Sequence, residues 1–182
     1  MAINPQKLII LDRDGVINHD SDAYIKSPAE WEPIDGSLEA IAQLNQLGYT
    51  VVVATNQSGV ARGLFDMHTL NRIHDKMHKL AAKQGAEIDA VFFCPHVDDD
   101  ACECRKPKAG LFHEIGRRFN ISLQGVIGVG DSLRDLQAIS SVGGQPILVL
   151  TGKGQKTYAQ GGLPANTRTF DNLLEAVQWL KR

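Results

Sequence analysis

Five stretches of the chain are apolar almost without interruption: KLIILD from residue 7, TVVVAT from residue 50, DAVFFC from residue 89, GVIGVG from residue 125 and QPILVL from residue 145. A strand with one face in water alternates apolar and polar side chains, whereas these runs do not, which suits strands covered on both faces. Between them, apolar residues recur at helical spacing. SLEAIAQLNQLG carries Leu38, Ile41, Leu44 and Leu47, and MHTLNRIHDKMHKLAAKQG carries Leu70, Ile73, Met77 and Leu80; Gly48 and Gly85 then supply C-terminal stops. KAGLFHEIGRRF, SLRDLQAI and DNLLEAVQWLKR complete the helical set. Strands alternating with helices predict an α/β fold, a parallel sheet with helices on both faces joined by right-handed crossovers.

No repeat, low-complexity stretch or linker interrupts this pattern, so residues 1–182 are expected to form one domain. Two connections are longer than a simple link requires, roughly 18–35 after the first strand and 94–107 after the third. Both follow strand C-terminal ends, where open α/β sheets bind their ligands.

A net charge of −2 with 43% hydrophobic and 22% charged residues excludes a global basic field, and with it strong non-specific attraction to nucleic acid or an anionic membrane. No run approaches the ~20 apolar residues of a membrane span, and MAINPQK lacks the features of a signal peptide, so a cytoplasmic, monomeric protein with a small-molecule partner is expected. Three cysteines cannot pair without remainder, and all lie within residues 94–104, which favours a metal over a disulfide.

The polar residues collect at the strand ends. ILDRDGVIN supplies Asp12 and Asp14, VVVATNQSGVARG supplies Thr55, Asn56, Gln57 and Ser58, the cysteine stretch leads to Lys106, and IGVGDSLRD supplies Asp131 and Asp135. Acids sharing one crevice repel unless a cation lies among them, and hard oxygen ligands suit Mg2+. If Asp12 attacks a phosphorus atom, the cation suppresses repulsion between nucleophile and phosphoryl group. Asp14, two residues on, is free to act on the leaving group as acid and on water as base. Thr55, backbone N–H groups near Asn56 and the charge of Lys106 fit the equatorial oxygens of a transferring phosphoryl group.

Taken in order, LDRDGVIN, VATNQSG, RKPKAG and VGDSLRD resemble the four motifs of haloacid dehalogenase (HAD) superfamily phosphatases over nearly the whole chain. More narrowly, DRDGVIN, TNQSGVARG and a cysteine/histidine loop before CRKP resemble the heptose 1,7-bisphosphate 7-phosphatases, with histidinol-phosphate phosphatases as relatives. The resemblance implies a three-layer Rossmann-like fold without a large cap, five core strands in the order 5-4-1-2-3, and a Mg2+-dependent phosphomonoesterase acting through an aspartyl-phosphate. It assigns Asp12 as nucleophile, Asp14 as acid and base, and Mg2+ to the side chains of Asp12 and Asp131 and the backbone carbonyl of Asp14. Thr55 and Lys106 hold the phosphoryl group, Asp135 orients Lys106 or a metal-bound water, and Arg105 and the loop carrying Arg62 meet the sugar and its second phosphate. The implied product serves bacterial surface glycans such as lipopolysaccharide.

CPHVDDDACECRK offers three thiolates and an imidazole, Cys94, His96, Cys102 and Cys104, which close a tetrahedral Zn2+ site with no open position. Zinc there is structural and aims Arg105 and Lys106. Other partial matches fail: GVGDSL lacks the third glycine of a dinucleotide fingerprint, TGKGQKT lacks P-loop spacing, and His74 and His78 lack the glutamate of a zinc protease and read as helix-face residues. His19 reads as a solvated loop residue near the pocket. Two non-enzymatic readings, a phospho-aspartate receiver and a zinc-built interaction module, both predict no multiple-turnover phosphate release.

Overall fold

A computed structural model describes residues 7–182. Strands β1 (Leu8–Leu11), β2 (Thr50–Asn56), β3 (Ala90–Cys94), β4 (Ile127–Gly130), β5 (Gln145–Val149) and β6 (Arg168–Phe170) form one parallel sheet in the order β3-β2-β1-β4-β5-β6. The first five strands follow the expected order. The sixth, only three residues long, corrects the five-strand expectation: RTF is too short and too polar to register as an apolar run, and it pairs at the sheet edge beside β5.

Helices α1 (Ser37–Gln46), α2 (Met67–Lys83), α3 (Gly110–Phe119), α4 (Leu133–Ser141), α5 (Gly154–Gln160) and α6 (Leu173–Leu180) cover both faces. Leu8 and Ile10 face the side of α3 and α4, where they join Phe112, Ile115 and Ile139, while Ile9 and Leu11 join Ile41, Leu44, Ile73 and Val177 on the opposite side. The period of two along β1 thus divides two cores, and every strand residue is apolar because each face has a helix layer to meet. Burying each such side chain contributes about 1.5–3 kcal/mol, a reserve against which charged groups at the strand ends can be held. Asp66 caps α2 by accepting from the Thr69 N–H, and Asn172 caps α6 in the same way from Glu175. Helix α5 lies outside the expected set, because GQKTYAQ has no apolar stripe.

The connection after β1 is ordered from beneath. Trp31 is fully buried in the core, and Lys76 of α2 donates to the carbonyls of Pro28 and Trp31, both at 2.7 Å. Among the described residues, no helix is long and apolar enough to cross a membrane.

Candidate active site

Parallel pairing of β1 with β2 and β4 delivers Asp12, Thr55 and Asp131 to the same sheet edge. The Asp12 N–H continues the ladder by donating to Val129 at 2.9 Å, so the first acid still belongs to the strand. Its carboxylate is 6% exposed and lies 3.0 Å from Lys106 Nζ. Lys106, only 2% exposed, also meets Asp135 at 2.7 Å and the Ala54 carbonyl at 2.8 Å, which directs all three of its donors inward. Asp135 is fastened in turn by the backbone N–H and hydroxyl of Ser132 at the start of α4.

Asp131 approaches from β4. Its Oδ2 accepts from the Lys153 N–H at 2.8 Å, and its carbonyl accepts from the Thr157 hydroxyl at 2.8 Å, so the turn into α5 locks it. Two glycines make the room. A Cβ on Gly15 would stand 2.0 Å from that Oδ2, and one on Gly152 would stand 2.3 Å from it; both residues also have positive φ, +82° and +55°.

One buried lysine does not balance three buried acids. Burial, opposed by Lys106 and reinforced by Asp135 and Asp14, pushes Asp12 up to about 6, and burial with the charges of Asp135 and Asp12 pushes Asp131 up to about 8. Asp135 goes the other way: burial works to raise it, but Lys106 and Arg134 hold it below the usual carboxylate range. The ligand oxygens of Asp12, Asp131 and Asp135 lie within 4.8 Å of one another. An oxygen-rich cluster short of positive charge fits a hard divalent cation; Lys106 pairs with both Asp12 and Asp135, while Asp131 pairs with no lysine side chain among the described residues.

Asp14 turns away from this cluster. Arg13, 0% exposed, straddles its carboxylate with Nε and Nη2, each 3.1 Å away, while Asn18 and Gln57 donate at 2.8 Å each. Burial alone would raise Asp14, yet Arg13 and these two amides hold it below the usual carboxylate range. The two acids of DRDG therefore occupy different environments two residues apart, which is how one peptide presents two chemistries.

Several expected phosphate ligands have other duties here. Both side-chain atoms of Asn56 are spent on Lys106, whose carbonyl and N–H it pairs with at 3.1 Å each, so Asn56 fixes the lysine's backbone. The Gln57 N–H donates to the Cys94 carbonyl, and its amide holds Asp14 and Thr55 Oγ1. Thr55, buried, accepts that bond and keeps its hydroxyl hydrogen to donate. Ser58 is buried, and its carbonyl accepts from the N–H of Arg62, an exposed residue whose guanidinium lies 6.0 Å from the Tyr24 ring. Arg105 pairs with exposed Asp98 and donates to the His96 carbonyl, so the cysteine loop occupies part of its charge. His19 is exposed and His78 is exposed, but His74 is a correction: it is 8% exposed, facing inward against Arg13.

Arg13, Asn18, Arg134 and Lys153 also belong to the site, although nothing in the local sequence beyond position marks them. Arg134 has a buried Nε with no hydrogen-bond partner among the described residues, and, although burial opposes it, Asp135, Asp12, Asp131 and Asp20 raise its proton affinity further. The signal available was position alone, a cation in the first turn of the helix that follows Asp131.

The cysteine loop leaves β3 at buried Cys94 and folds back through a single 3-10 turn at Asp98–Asp100. Cys94, His96, Cys102 and Cys104 bring their ligand atoms within 4.8 Å of one another, with sulfur–sulfur separations of 3.0, 3.6 and 3.6 Å and His96 Nδ1 at 3.3 and 3.6 Å from two of them. A tetrahedron of bonds near 2.3 Å has edges of about 3.8 Å, so the set fits Zn2+ and the residues need only small adjustments. No disulfide competes, as all three cysteines are free.

Comparison with known proteins places the arrangement. The chain is 59% identical over 174 residues, 96% of its length and 97% of the relative's, to a D-glycero-beta-D-manno-heptose-1,7-bisphosphate 7-phosphatase of Bordetella bronchiseptica, and 56% identical over 176 residues to the enzyme of that name in Neisseria meningitidis, covering 96% and 94%. It superposes with a TM-score of 0.95 on the crystal structure of D,D-heptose 1,7-bisphosphate phosphatase from B. bronchiseptica complexed with magnesium and phosphate, at 59% identity, covering 96% of this chain and 98% of that one. A second such phosphatase, from Burkholderia thailandensis, aligns with a TM-score of 0.77 at 52% identity, covering 97% and 99%. Residues 6–143, which span β1 to β4 and the strand ends that carry Asp12, Thr55, the cysteine loop and Asp131, match the family model for haloacid dehalogenase-like hydrolases, and the chain belongs to that family.

Proposed function

We propose that this protein is a Mg2+-dependent phosphatase that removes the 7-phosphate from D-glycero-β-D-manno-heptose 1,7-bisphosphate by way of an aspartyl-phosphate on Asp12. The observation that carries the mechanism is the divergence of Asp12 and Asp14. One acid is steered by Lys106 into the acidic crevice; the other is set apart on Arg13, Asn18 and Gln57. The beta-heptose bisphosphate substrate rests on what the relatives are named for, at 52–59% identity over at least 92% of the chain.

An Asp12 oxygen attacks phosphorus as the bond from phosphorus to the C7 oxygen breaks, while Lys106 and the Thr55 hydroxyl neutralise the equatorial oxygens. Held by Asp12, Asp131 and the Asp14 backbone carbonyl, Mg2+ would supply the further positive charge that lets a carboxylate approach a phosphate dianion. The incoming dianion raises the proton affinity of nearby Asp14, which takes up a proton from solvent as substrate binds and passes it to the C7 oxygen as that oxygen departs. Left ionised by that transfer and held so by Arg13, Asp14 then takes a proton from the water that hydrolyses the acyl phosphate. Asp135 keeps Lys106 pointed at Asp12. Arg62, Arg105 and Arg134, whose Nε has no hydrogen-bond partner among the described residues, are the cations available to the sugar's remaining phosphate.

Steady-state phosphate release from the beta and alpha anomers, beside histidinol phosphate, tests this reading. The beta-heptose bisphosphate is expected to give the highest kcat/KM; a higher value for histidinol phosphate would overturn the substrate assignment, and absence of Mg2+-dependent turnover with all three would overturn the enzyme.

A further inference from the structure

Arg13 is buried completely, yet its guanidinium has two neighbours of different kinds. Nε and Nη2 grip Asp14, and Nη1 lies 3.2 Å from His74 Nε2 on α2, sixty-one residues away in sequence. A guanidinium has only donors, so His74 must offer a bare nitrogen lone pair to it and carry its proton, in the neutral ring, on Nδ1. Burial and the adjacent Arg13 charge keep the imidazole neutral, pushing its pKa down to about 3. Behind the ring stands Phe93, 6.3 Å between centroids and tilted by 54°, which limits its rotation. Helix α2 is itself anchored by Ile73 and Met77, both fully buried on either side of this histidine in sequence.

We propose that His74 is a positioning residue: by accepting a hydrogen bond from Arg13 Nη1 it fixes the plane of the guanidinium, and so the orientation in which Asp14 meets the leaving group and the attacking water. The inference rests on the reading of Asp14 as acid and base. An arginine fork can grip a carboxylate only when the two planes agree, and rotation about its last side-chain bonds destroys that agreement. Asn18 and Gln57 each touch one oxygen of Asp14, whereas Arg13 touches both, so the fork decides the carboxylate plane. His74 itself touches neither the crevice acids nor Lys106. Its influence travels through one residue.

The test compares His74→Met, which keeps the reach and loses the acceptor, with His74→Gln, whose amide oxygen restores one. On heptose bisphosphate, His74→Met is expected to lower kcat by about 10–100-fold with KM within about threefold, and His74→Gln to recover to within about fivefold of the parent kcat. Rapid-quench measurement of Asp12 phosphorylation adds a readout that a mere packing defect would not give. With p-nitrophenyl phosphate, whose leaving group departs without a proton, that step should be nearly normal in His74→Met and slowed only with the sugar phosphate. Adding His74→Met to Asp14→Asn should cost less than about threefold more, because the two act through one group. Equal losses for Met and Gln, a change in KM alone, or full additivity with Asp14→Asn would overturn the proposal. Should His74→Met fail the circular-dichroism check for folding, His74→Asn, polar but too short to reach Arg13, takes its place with the same expectations. Asp14→Asn run alone separates the two levels: if it shows no dependence on the leaving group, the role of Asp14 falls, and if it does while His74→Met does not, only the role of His74 falls.

Discussion

The crevice at the end of β1 and the loop at the end of β3 both gather metal ligands, but the crevice is embedded in the core and the loop hangs on exposed backbone. Leading into Asp12, β1 is at most 2% exposed over Leu8–Leu11, and the carboxylates of Asp12 and Asp131 are fixed by Lys106, a backbone N–H or a glycine cradle. Around Cys102 and Cys104 the neighbours are exposed Asp98, Asp99, Asp100 and Ala101, the last with φ of +48°. The difference separates two uses of a cation. In the crevice the fold already supplies the geometry and lacks only charge; in the loop the charge is not the difficulty and geometry is what the ion supplies.

Breaking the crevice should therefore end chemistry and spare the fold. Asp12→Asn is expected to lower kcat by about 10⁴-fold or more, with no covalent phosphate on the chain in rapid-quench mass spectra and no loss of Tm, since one of the crowded buried acids is gone. Turnover near the parent rate would remove Asp12 from the nucleophile's place. Asp14→Asn should cost about 10²–10⁴-fold in kcat, the usual value of one positioned proton carrier. Breaking the loop should do the reverse. Cys102→Ser is expected to lose zinc by metal analysis and to lower Tm by several degrees, with a smaller fall in kcat/KM of about 10-fold, because Asn56 still clamps the Lys106 backbone from β2. Zinc retained in Cys102→Ser would refute the ligand set, and a loss as large as that of Asp12→Asn would erase the distinction between the two regions.

Most of this division was legible in the sequence where the residues are apolar and continuous or chemically unusual. KLIIL, TVVVAT and QPILVL could only be strands covered on both faces, and Cys94, His96, Cys102 and Cys104 could be read as a ligand set from their types alone. Short polar elements were not legible: β6 and α5 exist because β5 and Asp131 offer them partners, through pairing of Ile147 with Arg168 and the Thr157 bond to the Asp131 carbonyl. Nor were the long-range partners of side chains. Nothing local to HDKMH says that His74 meets Arg13, and nothing local to TNQSG says that Asn56 and Gln57 are spent inside the protein, because such bonds depend on which helix face and which strand end three-dimensional packing brings together.

The smallest effect expected is also the one that reads the charge deficit of the crevice directly. In the metal-free protein Asp131, raised to about 8, and Asp12, raised to about 6, bind protons in the folded state that an unfolded carboxylate with pKa 3.8 has released. Their contribution to stability is thus fully present below pH 3.8 and is lost as pH rises through about 6 and then about 8. Asp14, held low, works in the opposite sense, but its contribution is present above pH 3.8 and fades only as pH falls below it, so the two windows do not overlap. Mg2+ binds the ionised carboxylates and at about 100 times its Kd adds about 2.7 kcal/mol. Its stabilisation should accordingly grow between pH 5.5 and 8.5, read as a widening gap between Tm with and without Mg2+. Asp131→Asn should flatten that gap while leaving the Tm lost on zinc chelation unchanged. A gap of constant width in the parent protein would mean that the acids of the crevice are ionised without any cation, and the contrast between a region short of charge and a region short of geometry would fail at its first term.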